Sequence, residues 1–194
     1  MIIKKKYLIN LDSYQLDLYG DAIKKIITKL NDDEIKNIAI HCASIDDKNK
    51  IKKILPGVII FCGEDYVKKN FSLTEYNNYK ELIEKLNISF GEINYSLSVY
   101  KKFYYQTRLN PDIQLDLDLK RTILFYNFYD EIFKNFKPNI VIHEHTGGLG
   151  SKILWEKCKQ NNCKYFFIKG MYFDDRFALV DHEIFQSPFF EQSK

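Results

Sequence analysis

Short apolar runs that alternate with helical patterns constrain the fold of this chain more than any other feature of its sequence. The runs occupy residues 6–11, 37–44, 57–63, 137–144 and 163–170. Most are nearly continuous in apolar residues, which is typical of parallel strands that helices cover on both faces. The alternation predicts an α/β fold, Rossmann-like or flavodoxin-like, with about five mainly parallel strands flanked by helices.

The length of the chain favours one domain. Its 194 residues, 45% of them hydrophobic, supply one well-packed core but are few for two domains of ordinary size. We therefore predict a single domain over residues 1–194, with a helical excursion at about 66–136, between strands 3 and 4. Within it, residues 113–119 alternate apolar and acidic side chains as a strand would. Their aspartates would also suit the first turn of a helix, and we predict the helix.

Charge and hydropathy argue against nucleic acid and membrane as partners. The formal net charge is only +3, and the lysines lie beside acidic residues instead of forming one basic stripe. No run approaches the roughly 20 apolar residues that span a bilayer. The N-terminal stretch lacks the apolar core and cleavage site of a signal peptide. A cytoplasmic protein with no membrane span is expected.

The four cysteines predict buried thiols and not a disulfide framework or a zinc site. They form no CxxC pair, and two of them lie inside apolar runs that are predicted as strands. A cysteine in such surroundings behaves as a small apolar side chain.

Residues that directly follow the apolar runs are the candidates for a binding site, because ligands of open parallel sheets bind beyond the carboxyl ends of the strands. All the segments concerned should share one edge of the sheet. They contain Asp12 and Ser13, Ser44 and Asp46, residues 63–65, residues 143–150 and residues 170–176.

The richest of these segments reads HEHTGGLG at residues 143–150. A glycine-rich turn that enters a helix can hold an anion, but the spacing fits neither a dinucleotide turn nor a P-loop. The glycines could equally serve a tight turn and close helix packing. His143 and His145 would share a face of a continuing strand, with His41 as a possible neighbour, but no third metal ligand is identifiable by spacing, and we predict no metal site.

Two charged residues near the same edge each allow two interpretations. Glu144 can bind sugar hydroxyls or act as a general base, or it can cap the following helix. Arg176 can bind a carboxylate or phosphate through two hydrogen bonds, or it can pair with the aspartates that precede it.

The last third of the chain resembles a known family. Residues 136–181 are similar to the last βαβ unit of the N-terminal domain in two-domain, GT-B-like glycosyltransferases and in capsule and surface-polysaccharide biosynthesis proteins. The similarity is strong over about 50 residues, which is on the order of one βαβ unit. In the remainder of the chain it is a similarity of topology alone. The pieces that carry it are Lys137-Pro138-Asn139, Glu144 with Gly147 and Gly148, the strand at 163–168, and the segment FDDRFALVD at 173–181.

The resemblance implies the acceptor-side, N-terminal-type domain of a glycosyltransferase in surface polysaccharide synthesis. In that family a second Rossmann-like domain binds the nucleotide-sugar donor, so no cofactor is expected here, and the implied ligands are a carbohydrate acceptor or a nucleotide-sugar. Glu144 becomes the candidate catalytic base. The candidate substrate-binding residues are His143, His145, Gly147, Gly148, Arg176 and Asp12. The alternative is a non-catalytic flavodoxin-like module that binds a nucleotide, flavin or sugar phosphate at the same edge.

Overall fold

The computed structural model describes residues 5–11, 13–70, 84, 111–143, 149–170 and 177–180. The strands in these residues are β1 Tyr7–Asn10, β2 Ile38–Cys42, β3 Ile59–Cys62, β4 Ile140–His143, β5 Lys164–Gly170 and β6 Phe177–Val180. The helices are α1 Ser13–Ile27, α2 Asp32–Ile35, α3 Ile45–Ile54, α4 Gly63–Asn70, α5 Pro111–Asn135 and α6 Leu149–Gln160. Among these helices, none is long and apolar enough to cross a membrane.

All six strands form one sheet in the order β3-β2-β1-β4-β5-β6. The first five in this order run parallel, whereas β6 pairs antiparallel with β5. The predicted α/β fold of about five parallel strands is confirmed, and the strand order is that of the Rossmann fold, not the flavodoxin-like order 2-1-3-4-5. Strand β6 was not predicted, because four residues at the end of a sheet are too few to establish a period.

Helices cover both faces of the sheet, as expected of a doubly wound fold. On one face the strands contribute Leu8, Ala39, Val141 and Tyr165, which pack with Phe128 and Ile132 of α5 and Ile153 and Leu154 of α6. On the other face lie Ile38, Ile40, Cys42 and Cys62, with Leu16 and Ile27 of α1 and Ile51 of α3. All five residues of β2 are buried, which fits its apolar sequence.

Helix α1 buries a narrower stripe than its sequence predicts. The apolar spacing favours Ile26 and Ile27 together on the inner face, but Ile27 is buried while Ile26 is 60% exposed. Successive residues of a helix are 100° apart, and the buried stripe runs through Leu16, Gly20 and Ile27, so Ile26 lies beyond its margin.

Helix α3 begins at Ile45, one residue before Asp46 and Asp47. Ser44 is the N-cap, and its hydroxyl oxygen accepts a hydrogen bond of 3.0 Å from the backbone N–H of Asp47. The same hydroxyl donates to the buried Asp47 carboxylate at 2.7 Å. The aspartate therefore supports the cap from inside the first turn.

The described parts of the predicted excursion are helical. Helix α5 includes residues 113–119, so the helix predicted for this alternating stretch is confirmed. Helix α4 packs on α5 through the rings of Tyr66 and Phe128, whose centroids are 5.2 Å apart. The remainder of the excursion lies outside the described residues.

Helix α6 ends in a Schellman motif, and this motif accounts for the positions of two of the cysteines. The N–H of Cys163 donates to the carbonyl of Cys158 at 2.8 Å, and the N–H of Asn162 donates to that of Lys159 at 3.3 Å. Asn162 has a left-handed φ of 52°. The two cysteines occupy the positions whose apolar contact accompanies this motif. All four cysteines are buried outside any disulfide, as predicted.

Candidate functional site

The order of the sheet reverses between β1 and β4, and this defines where a crevice forms. The chain leaves β1 toward α1, on one face of the sheet, and leaves β4 toward α6, which lies on the opposite face. Because the connections on the two sides diverge, the carboxyl ends of β1 and β4 border the usual binding crevice of an open α/β sheet. Asn10 is the last residue of β1, and His143 is the last residue of β4.

A row of polar side chains crosses the sheet at this edge. Asn10 is the register partner of His41 in β2. On its other side, Nδ2 of Asn10 lies 3.2 Å from Nε2 of His143, within hydrogen-bond distance. All three residues are at most 8% exposed, and they point to the face that α5 and α6 cover. The row is a set of buried hydrogen-bonding groups, each at or next to the carboxyl end of one of three neighbouring strands.

His41 lies among aromatic rings of α5. Its ring centroid is 5.4 Å from that of Phe128 and 5.5 Å from that of Tyr129. The Nδ1 atom is buried and has no hydrogen-bond partner among the described residues. Burial lowers the pKa of His41 to about 4, because an apolar environment disfavours the imidazolium. The imidazole is therefore neutral at pH 7.

His143 is held on two sides. Asn10 contacts its Nε2 from β1, and the ring of Tyr165 from β5 stacks on it with centroids 6.1 Å apart and planes 28° apart. Two neighbouring strands thus restrain the imidazole, which is the arrangement that a precise binding group needs.

The two described histidines do not form a metal pair. They lie on strands that flank β1 on either side, so their backbones are roughly 10 Å apart, at the usual strand spacing, and Asn10 lies between them. Within the described part of the chain, no three His, Cys, Asp or Glu side chains come together as metal ligands.

Of the site residues predicted from the sequence, His143 is placed at the crevice. The other six lie outside the described residues, and their roles stay predictions: Asp12, Glu144, His145, Gly147, Gly148 and Arg176. The chain does place their described neighbours Leu11, His143 and Leu149 at the carboxyl ends of β1 and β4 and at the start of α6.

One glycine of the HEHTGGLG segment has a packing role. A Cβ atom at Gly150 would lie 3.3 Å from two ring carbons of Phe125 and 3.5 Å from the hydroxyl of Tyr129. These contacts are with α5, so Gly150 lets α6 approach α5 closely. For this residue, the interpretation of close helix packing is confirmed.

Comparisons with protein-family profiles, with curated proteins and with solved structures find no match.

Sequence reasoning missed Asn10, which the structure places at the centre of the row. A signal was present: Asn10 is a polar residue two positions after the core residue Leu8, inside an apolar strand run. Residues two apart in a strand face the same side. A polar side chain directed into the core at a strand end is expected to need a hydrogen-bond partner.

Proposed function

We propose that this chain is the acceptor-side domain of a GT-B-like glycosyltransferase in surface polysaccharide synthesis. Carbohydrate binds in the crevice at the carboxyl ends of β1 and β4. The observation that carries the proposal is the reversal of strand order between these strands, with the amide of Asn10 and the imidazole of His143 at that point.

The connection from β1 to α1 supports a carbohydrate ligand over a dinucleotide. In dinucleotide-binding sheets this turn is rich in glycine, and the pyrophosphate lies at the N-terminus of the following helix. Here the residues between Asn10 and Ser13 are Leu11 and Asp12, with no glycine. Leu11 is fully buried, and a carboxylate next to the helix N-terminus would repel a phosphate. The same carboxylate can accept hydrogen bonds from sugar hydroxyls.

The chemistry of the edge also suits hydroxyl groups. An amide and a neutral imidazole each offer both donating and accepting atoms, which a sugar hydroxyl can match. Glu144 follows His143 directly in sequence, and in the proposed reaction it takes the proton of the acceptor hydroxyl. The nucleotide-sugar donor is held by a second Rossmann-like domain of the same enzyme.

The proposal is tested by ligand titration of the ¹⁵N-labelled chain, followed through its backbone amide signals. We expect neutral hexoses and N-acetylhexosamines to shift the signals of Asn10 and His143. Asn10→Ala should weaken this response at least several-fold, and Asn49→Ala, an exposed change on α3, should leave it unaltered. Saturable binding of FMN, NAD or a sugar phosphate at this edge, with no response to neutral sugars, would overturn the proposal in favour of a nucleotide- or phosphate-binding module.

A further inference from the structure

The side-chain amide of Asn10 is fixed between two strands. Asn10 is 4% exposed, and its register partner His41 occupies the neighbouring position on β2. On the side of β4, its Nδ2 lies 3.2 Å from Nε2 of His143. The amide therefore reaches the imidazole through the interior of the domain, where water competes little for the hydrogen bond.

The identity of the two atoms in contact determines which can donate. An amide nitrogen carries two N–H donors and does not accept hydrogen bonds. With the amide oriented as in the structure, the ring nitrogen that faces Nδ2 supplies a lone pair, and this contact requires an unprotonated Nε2 of His143. In a neutral imidazole the proton is then on Nδ1. Tyr165 stacks on the same ring and restrains its rotation.

We propose that Asn10 is a positioning residue that fixes His143 as the Nδ1–H tautomer. This deepens, and for its functional meaning rests on, the proposed carbohydrate site. In that site His143 donates a hydrogen bond to a substrate oxygen from Nδ1. Its Nε2 lone pair is occupied by Asn10, so His143 does not take the proton of the acceptor hydroxyl. That proton goes to another group, for which Glu144 is the candidate.

The test is a long-range ¹H–¹⁵N spectrum of the histidine rings in the chain labelled with ¹⁵N-histidine. The signals of His143 are assigned by their loss in His143→Gln. In the unaltered chain we expect the shift of an unprotonated nitrogen at Nε2 and of a protonated nitrogen at Nδ1. A spectrum with the proton on Nε2 overturns the proposal.

Asn10→Asp provides a nearly isosteric reversal of the hydrogen bond. A carboxylate only accepts, so Nε2 of His143 should become protonated, and its shift should change to that of a protonated nitrogen. The control Asn49→Asp makes the same chemical change at an exposed position on α3 and should leave the His143 signals in place. An unchanged tautomer in folded Asn10→Asp would contradict the positioning role. If that variant does not fold, the spectrum of the unaltered chain alone decides.

The spectrum is recorded without ligand, so the two proposals can fail separately. The Nδ1–H tautomer in a chain that does not bind neutral sugars would refute the carbohydrate site and keep the role of Asn10. The Nε2–H tautomer in a chain that binds neutral sugars would refute the role of Asn10 and keep the carbohydrate site.

Discussion

The ammonium nitrogen of Lys157 lies 2.7 Å from Oδ1 of Asp130, and this contact joins α6 to α5. The side chain of Lys157 is only 4% exposed, and its ammonium is also 3.7 Å from the centre of the Tyr126 ring. Lys134 reaches the other oxygen of the same carboxylate from solvent, at 2.7 Å. Burial by itself would raise the pKa of Asp130, but the hydrogen bonds from the two lysines bring it below its usual value.

Asp130→Asn should destabilise the fold strongly, because it leaves the ammonium of Lys157 buried without its countercharge. We expect a loss of roughly 2–4 kcal/mol in the free energy of unfolding, measured by urea denaturation. Lys134→Ala removes an exposed partner of the same carboxylate, and its cost should be at most about 1 kcal/mol. Equal costs for the two changes would show that burial of Lys157 does not determine the energy of this contact.

Stability should depend on pH through His41. Burial lowers the pKa of His41 from its unfolded value of 6.5 to about 4, so the unfolded chain binds this proton more tightly. Above pH 6.5 neither state is protonated there, and the residue contributes no pH dependence. As the pH falls from 6.5 toward 4, protonation of the unfolded state should cost about 3 kcal/mol of stability in total, and the effect levels off below pH 4.

The control for this prediction is His41→Gln, which cannot titrate. Urea denaturation between pH 7 and pH 4 should give a shallower loss of stability for this variant than for the unaltered chain. Parallel curves for the two proteins would mean that His41 is not held neutral by its aromatic surroundings.

The fold could be predicted from the sequence because its signals are local. The apolar runs of β2 and β4 lie in a parallel sheet that helices cover on both faces, and such strands are mostly apolar. Local sequence patterns do not determine which strands pair in the sheet or how deeply each helix residue is buried. Strand β6 pairs with β5, and Ile26 lies beyond the margin of the stripe that α1 buries.

Replacement by alanine should have opposite effects on stability at two helical glycines. At Gly150 a Cβ would meet the ring of Phe125 at 3.3 Å, so Gly150→Ala should force α6 away from α5 and cost on the order of 1 kcal/mol. At Gly20, inside α1, the nearest atom is a flexible methyl of Leu16 at 3.7 Å, an ordinary contact. Gly20→Ala should stabilise the fold by about 0.5–1 kcal/mol, because alanine is the better helix former. Thermal or urea unfolding of both variants measures the difference, and stabilisation by both would disprove close packing at Gly150.

The sequence predicts where the candidate site lies better than it predicts which residues contact each other there. The rule that ligands bind beyond strand ends identifies the position of His143 at the carboxyl end of β4. The contact of His143 with Asn10 joins residues 133 positions apart, and no pattern within either strand predicts it. Such a contact follows from the strand order β1-β4, which the sequence does not reveal.

Glu144→Gln tests the catalytic assignment in an active protein that contains this domain. Glutamine keeps the size of the side chain but cannot take a proton from the acceptor hydroxyl. If Glu144 is the general base, turnover should fall by about 10²-fold or more, with a smaller effect on the affinity for the acceptor. Glu131→Gln is the matched control, because it removes the same charge from the exposed surface of α5, and it should leave turnover unchanged. A rate for Glu144→Gln within a few-fold of the unaltered enzyme would mean that another group removes the proton, and His143, with Nε2 occupied by Asn10, would be a poor substitute.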